Sequence, residues 1–472
     1  MHPVRSSFRR ATVAAGFVVA AGGACAQSAT EAELARRLDA LAAELANVKA
    51  QLATLQRERA AVTPAPAAPG TPGAATATAG APGTTGGASG TTPATAAPAG
   101  ATGTAAVATA PPAPYPAPAA PAQATPSIEF SSYGEINYNR PTNHSENTQI
   151  DLRRFVLGIQ HRVDPKTKVV GELEIEHAVS SADDPGEVEI EQAYAERQFT
   201  PTWAGRAGLF LIPAGLLNEN HEPTAYYGVE RNFVETAIIP STWREGGLQV
   251  IGTFDNGLTA QGGITTSFDL TKWDASSTEG RESPLGSIHQ ELALAKAKDL
   301  AVFGALNWRG VPGLLVGGSL FTGNATQGQA NASGRVTLWD LHTRWTPGRW
   351  DLAALYARGT ISNTAALNAP LVGNPTLIPK SFDGWYVQGA YRVWSNDDYS
   401  LTPFVRWEQY NTARSFADLG PGLTPAGAPT EKVLTFGANF LLSQQLVFKA
   451  DIQRFSVNKD MNRFDLGFGW SF

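Results

Sequence analysis

The feature that most constrains this chain is the alternation of its connections. Between residues 127 and 472, stretches of alternating apolar and polar residues recur sixteen times, roughly at 127–139, 149–163, 166–179, 187–199, 203–211, 244–254, 257–269, 299–308, 311–322, 334–346, 349–361, 381–394, 399–411, 429–442, 445–457 and 461–472. A strand sends successive side chains to opposite faces, so each stretch has one greasy face and one wet face. In the last of them Phe464, Leu466, Phe468, Trp470 and Phe472 alternate with Asp465, Gly467, Gly469 and Ser471. In a soluble sandwich the greasy face would be core; in a membrane barrel it would meet lipid. Every second connection is a tight turn ("DPKT" near 164, "TPT" near 200, "DNG" at 255, "RGVP" at 309, "TPGR" at 346, "SNDD" at 395, "SQQ" at 443), and those between are longer, except 458–460. A sandwich has no reason to alternate in this way, whereas a membrane barrel carries short turns at one end and long loops at the other. Trp203, Trp308, Trp345, Trp350 and Trp394 all sit beside the tight turns, as an interfacial aromatic girdle requires. The expected fold is all-β, a 16-stranded antiparallel transmembrane β-barrel over 127–472, with its greasy face toward lipid.

Residues 1–26 carry Arg5, Arg9 and Arg10, an apolar run and then Ala24-Cys25-Ala26, the pattern of a secretory signal peptide with mature start at Gln27. Cleavage there removes the single cysteine, and with it any disulfide or thiolate site. The rival reading takes Cys25 as a lipidated cysteine, but Gly22 stands where such sites want a larger aliphatic residue. Elsewhere no apolar run approaches the roughly 18 residues of a membrane helix, so an exported chain of this kind enters a membrane only as a barrel, in outer-membrane lipid.

Within 27–59, Leu34, Leu38, Leu41, Leu45, Val48, Leu52 and Leu55 follow a 4,3 spacing, the seam of a short coiled-coil helix placed in the periplasm. The bland alternative is a lone amphipathic helix packed on something else. Residues 60–126 contain no Asp, Glu, Lys or Arg and consist mainly of Ala, Pro, Gly and Thr. Such a segment reads as a disordered linker, its ends on the order of 45 Å apart as a flexible coil.

Several stretches resemble the phosphate-selective porin O and P family of Gram-negative outer membranes: "DLRRFVLGIQ" at 151, "VEIEQAYAERQ" at 188, "GLFLIPAGLLNENHEP" at 208, "AIIPSTWREGGLQVIG" at 237 and the closing "FDLGFGWSF". The resemblance covers about 127–472 and is diffuse. It implies a trimeric pore whose third long loop, here 212–243, folds into the lumen and narrows it. The function expected is a passive, water-filled channel for small hydrophilic solutes or ions. The alternative is an envelope tether, in which the coiled coil and linker bind cell wall or a periplasmic partner and the barrel is an anchor.

Channels select ions by rings of charge at the narrowest point. The candidates on 212–243 are Glu219, His221, Glu222, Arg231 and Glu235, with Arg244 just beyond; the bland reading is an external loop with solvated charges. Parity extends the set to the wall. In "GELEIEH" Leu173 and Ile175 face lipid, so Glu172, Glu174 and Glu176 face inward, as do Glu189 and Glu191 of "EVEIEQAY", and Arg154, Arg206, Arg406 and Glu408 beside outward apolar neighbours. A charge at mid-depth on the lipid face would cost about 2–4 kcal/mol for Arg or Lys. The basic stretch at 154 and the acidic ones after it suggest a field across the pore, unless these charges pair with one another. The sequence departs from the resembled family in charge: residues 127–472 hold 28 Lys plus Arg against 37 Asp plus Glu, which argues against phosphate selectivity. No basic patch points to nucleic acid, and no G-x-S-x-G, P-loop or H-E-x-x-H appears; the seven histidines lack ligand spacing, so no catalytic residue, metal or cofactor is assigned.

Overall fold

The computed structural model describes residues 127–472 apart from 180, 182, 183, 331 and 397; the signal, the seam from Leu34 to Leu55 and the linker lie outside the described residues. One antiparallel sheet contains β1 (Ser127–Pro141), β2 (Gln149–Asp164), β3 (Thr167–Glu176), β4 (Val188–Gln198), β5 (Trp203–Leu211), β6 (Arg244–Thr253), β7 (Leu258–Thr266), β8 (Leu300–Val311), β9 (Leu314–Asn324), β10 (Arg335–Trp345), β11 (Trp350–Ile361), β12 (Ser381–Tyr391), the two-residue β13 (Trp394–Ser395), β14 (Ser400–Ser415), β15 (Glu431–Ser443), β16 (Leu446–Phe455) and β17 (Arg463–Ser471). Each long strand pairs with its neighbours in sequence, and β1 pairs with both β2 and β17, so the sheet closes with no free edge. Closure satisfies every ladder within the wall, as a backbone in hydrocarbon demands. Apart from the two-residue β13, which only extends β12, the sixteen strands are those legible in the sequence.

The outer surface is apolar by alternation. Leu248 and Val250 of β6, Leu300, Val302 and Leu306 of β8, and Leu341 of β10 are all more than half exposed, while the residues between them point inward. An apolar belt of this extent exceeds what a soluble monomer leaves in water. Trp203, Trp308, Trp345, Trp350 and Trp394 are exposed at the short-turn end, forming the girdle; Trp308 Nε1 also donates to the Asn256 carbonyl in the turn beside it, at 3.1 Å.

Two bulges alter the simple parity. Between β3 and β4 the register jumps from Glu172↔Gln192 to Leu173↔Ile190, so Glu191 is the extra residue and both Glu191 and Gln192 are buried. Between β1 and β2, Glu135 faces Arg154 and Ile136 faces Leu152, which leaves Arg153 extra. The connection 267–299 also proves as long as 212–243, because β7 ends at Thr266.

The interior is not uniformly polar. The inner face of β8–β12 carries Phe303, Phe321, Leu338, Leu355 and Phe382, all buried in one cluster with Trp243, Phe268, Trp273, Leu285 and Ile378 from the connections at that end. Trp243 lies 4.5 Å from the Phe321 ring and 5.0 Å from the Phe268 ring, centroid to centroid. The opposite wall, β14–β17 and β1–β4, buries charged and amide side chains instead.

Candidate functional site

The connection between β5 and β6 turns into the barrel, and none of its residues from Ile212 to Trp243 is exposed. Its base is tied by Asn218, whose Nδ2 donates to the carbonyls of Ile212 (2.7 Å) and Trp243 (2.8 Å) while its Oδ1 accepts from the Trp243 amide (2.7 Å). Beyond the base, the loop bonds to inward side chains of much of the wall. Asp340 of β10 accepts from Gly215 N, Asp351 of β11 from Tyr227 OH, Glu408 of β14 from Phe233 N (2.6 Å), Asp451 of β16 from Val229 N (2.6 Å), and Glu135 of β1 from Tyr226 OH (2.8 Å). Asn439 of β15 clamps the loop backbone twice, accepting from Gly228 N (3.3 Å) and donating to the Tyr226 carbonyl (2.9 Å). Segment 223–230 runs along the inner face of β17, which explains the small residues of the closing stretch. A Cβ at Gly469 would overlap the Pro223 ring, and one at Gly467 would come within 3.2 Å of Val229.

The candidate residues of the loop divide into struts and a cavity edge. Glu235 is a strut: one oxygen accepts from the amides of Leu216 (2.6 Å) and Leu217 (2.8 Å), the other from Asn232 Nδ2 (2.8 Å) and Tyr386 OH (3.0 Å). Arg231 braces the two limbs through Ser241 Oγ, Thr242 Oγ1 and the His221 carbonyl. His221 meets Tyr133 OH at 3.3 Å through Nε2 and the carbonyls of Leu217 and Asn218 through Nδ1; burial, then Arg231 and Arg154, hold its pKa well below the ordinary value. Burial raises Glu235 and Glu219 and pushes Glu222 up to about 8. Glu230 goes the other way: burial would raise it, but Arg463, Arg153 and Arg154 outweigh that and hold it low.

The wall charges all point inward, and the arginines among them each lie close to a carboxylate. Arg154 Nε is 2.8 Å from Glu135 and its NH1 4.0 Å from Glu174. The basic position therefore lies beside the acidic ones on adjacent strands rather than across the pore from them. Glu172 accepts from Gln192 (2.9 Å), Glu191 from Tyr133 OH (3.3 Å), and Glu176 is buried on the same row. Arg206 pairs with Glu196 (2.9 Å) and lies 4.2 Å over the Tyr194 ring. Arg244, at the start of β6, bridges Glu189 (2.5 Å) and Glu291 (3.1 Å). Arg406 binds Glu408 (3.1 Å) and the Tyr227 carbonyl (3.0 Å), so this pair also pins the loop. The loop anchors Glu135, Asn439 and Asp451 were not singled out from sequence, although the parity that marks Glu172 marks Asp451 too, beside outward Ile452.

A cavity of about 720 Å³ opens at the short-turn end, near Lys168 and Gln444, and runs in to Glu172, Glu219 and Glu222, with the Tyr133 and Tyr194 rings on its walls.

No protein-family model matches the chain. An uncharacterized protein of Aquifex aeolicus (strain VF5) is 28% identical over 370 residues, covering 74% of this chain and 81% of that one. Among solved structures, similar chains include Salmonella typhi OmpF in complex with daunomycin (12% identity, TM-score 0.49, 73% of this chain and 97% of that one) and the outer membrane channel DcaP of Acinetobacter baumannii (13%, 0.47, 74% and 97%). An anion-selective porin from Comamonas acidovorans is a third, at 10% identity and TM-score 0.47, over 74% of this chain and 100% of that one.

Proposed function

We propose that the protein is an outer-membrane channel for passive diffusion of small hydrophilic solutes or ions, with the loop 212–243 as its constriction. The observation that carries this reading is the loop itself: a long connection folded inside a lipid-facing barrel and bonded to inward side chains of β1, β10, β11 and β14–β17. Such a segment leaves the strands to hold the membrane and sets the cross-section through which anything passes. The chemistry is permeation, with no catalytic step. A homotrimer is the assembly favoured by the resemblance and by the heptad seam. The same resemblance would bring phosphate selectivity, but the wall argues against it, since β3 and β4 present Glu172, Glu174, Glu176, Glu189 and Glu191 inward. Rings of carboxylate favour cations at a narrow point.

Purified full chain in planar bilayers tests this. Discrete conductance steps are expected, with a reversal potential in a potassium chloride gradient that indicates weak cation preference. A bilayer that stays silent at high protein would refute the channel, and strong preference for phosphate over chloride would refute the selectivity.

A further inference from the structure

On the outside of the barrel, charge gathers along one arc of the wall at the long-loop end. Val336, Ala357, Phe382, Val433 and Phe455 are buried on the inner face, so their neighbours Arg335, Arg358, Asp383, Lys432 and Arg454 are turned outward. With Arg414, these residues each lie within three positions of the long-loop end of β10, β11, β12, β14, β15 or β16. Five cations thus share the rim with one carboxylate. Asp383 stands opposite Arg358 in the ladder, 3.4 Å from its NH1, and accepts from Arg414 Nε at 2.7 and 2.8 Å. Its side chain is 6% exposed, whereas those of Arg358 and Arg414 are 38% and 49% exposed, so the acid is a covered post that presents two guanidiniums outward. Arg335, Lys432 and Arg454 are exposed as well. By contrast, β2, β4 and β8 carry Ile150, Val188 and Leu300 at this level, all more than half exposed.

We propose that this arc binds a phosphorylated glycolipid of the outer leaflet, one whose head is a disaccharide with a phosphate at each end. Three observations carry it. A band of rings lies just below the cations on the same outward face: Trp339 against Tyr356, with centroids 5.3 Å apart, Trp385 opposite Tyr356, and Trp407 opposite Val387. Such rings sit at the level of lipid head groups, so the cations stand among the heads of the leaflet at the long-loop, external end. The charges are mostly guanidiniums, whose planar fork takes two phosphate oxygens at once. Neighbouring strands are about 4.8 Å apart, so the row from Arg358 on β11 to Arg454 on β16, four strand spacings, is at least about 19 Å wide. One phosphate cannot span it; a head phosphorylated at both ends can. Cations that served only as interfacial anchors would recur at Ile150, Val188 and Leu300. The inference concerns the outer face, and it needs the barrel in its membrane but no conduction through it.

Native mass spectrometry of the full chain in dodecyl maltoside tests it, with diphosphoryl lipid A, monophosphoryl lipid A, phosphatidylglycerol and inorganic phosphate as probes. Saturable binding of diphosphoryl lipid A is expected, at least tenfold tighter than phosphatidylglycerol and tighter than the monophosphoryl form. Lys432→Gln with Arg454→Gln is expected to weaken it at least tenfold. Arg358→Gln, which leaves Arg414 on Asp383, is a second variant should the first fail to fold, and Arg349→Gln in the short turn before β11 should leave the affinity within twofold. No binding of lipid A, equal binding of phosphatidylglycerol, or unchanged affinity in a folded rim variant would each overturn the proposal. So would inorganic phosphate that displaces lipid A at equal concentration, since the arc would then be a site for the free anion. A chain that binds lipid A but never conducts sinks the channel and keeps this site, and a conducting chain that ignores lipid A does the reverse.

Discussion

Replacing Asn439 by alanine removes the side chain that grips the internal loop twice, at Gly228 N and at the Tyr226 carbonyl. Each is a neutral hydrogen bond worth about 1 kcal/mol net, and both loop groups are buried, so the loss is about 2 kcal/mol for the docked position of segment 226–230. The change leaves the strands intact, because Asn439 stays in register with Thr402 of β14 on one side and Lys449 of β16 on the other through the backbone. Local opening, not global unfolding, should therefore respond. At about 1.4 kcal/mol per decade, amide hydrogen exchange at 226–230 should speed up roughly 30-fold, while exchange in β15 and β16 stays within about twofold. Deuterium uptake followed by mass spectrometry in detergent reads both regions at once. Unchanged exchange at 226–230 would refute the claim that the wall holds the loop, and equal acceleration in β15 would show that the loop and the barrel are one cooperative unit.

Gly469→Val, whose Cβ would overlap the Pro223 ring, should push segment 223–230 off the inner face of β17, read as faster amide hydrogen exchange in that segment than in the unchanged chain. Leu341→Arg, at an exposed mid-strand position of β10, should destabilise the barrel by about 2–4 kcal/mol in a urea titration in lipid, whereas an equally exposed soluble surface site would tolerate it. Glu222 carries a pH dependence of loop docking. Its folded pKa, about 8, lies above the ordinary carboxyl value, so the folded state holds the extra proton and the stabilisation is complete below about pH 4.5. It is lost as pH rises through about 8, and Glu222→Gln should flatten that part of the profile of loop exchange against pH.

Strand positions were readable because the period of two is local: Phe464 to Phe472 alternate whether or not the rest of the chain is known. Turn chemistry at "DNG" and "TPGR" fixed which end was which. The inner face was only half readable. On β3 the carboxylates at 172, 174 and 176 stand out against Leu173 and Ile175, but on β11 both faces are apolar, as in Leu352 beside Ala353 and Leu355, so nothing local marks the wall on which loops would pack. Bulges add or remove one residue without a sequence signal, which is why Glu191 and Gln192 both turn inward. Most opaque was the role of each loop charge. Glu235 and Arg231 look like a selectivity ring in sequence, yet Arg231 braces the loop's own hydroxyls and a carbonyl, and Glu235 holds the loop's amides and the Tyr386 hydroxyl of β12, contacts that depend on how the chain crosses the lumen.

Single-channel conductance of the intact chain, compared with a variant in which residues 220–240 are replaced by a short Gly/Ser link, puts the internal loop to the sharpest test. Removing the segment that fills the barrel should give steps several-fold larger, with weaker ion discrimination. Steps of the same size in both would mean that the loop does not limit permeation.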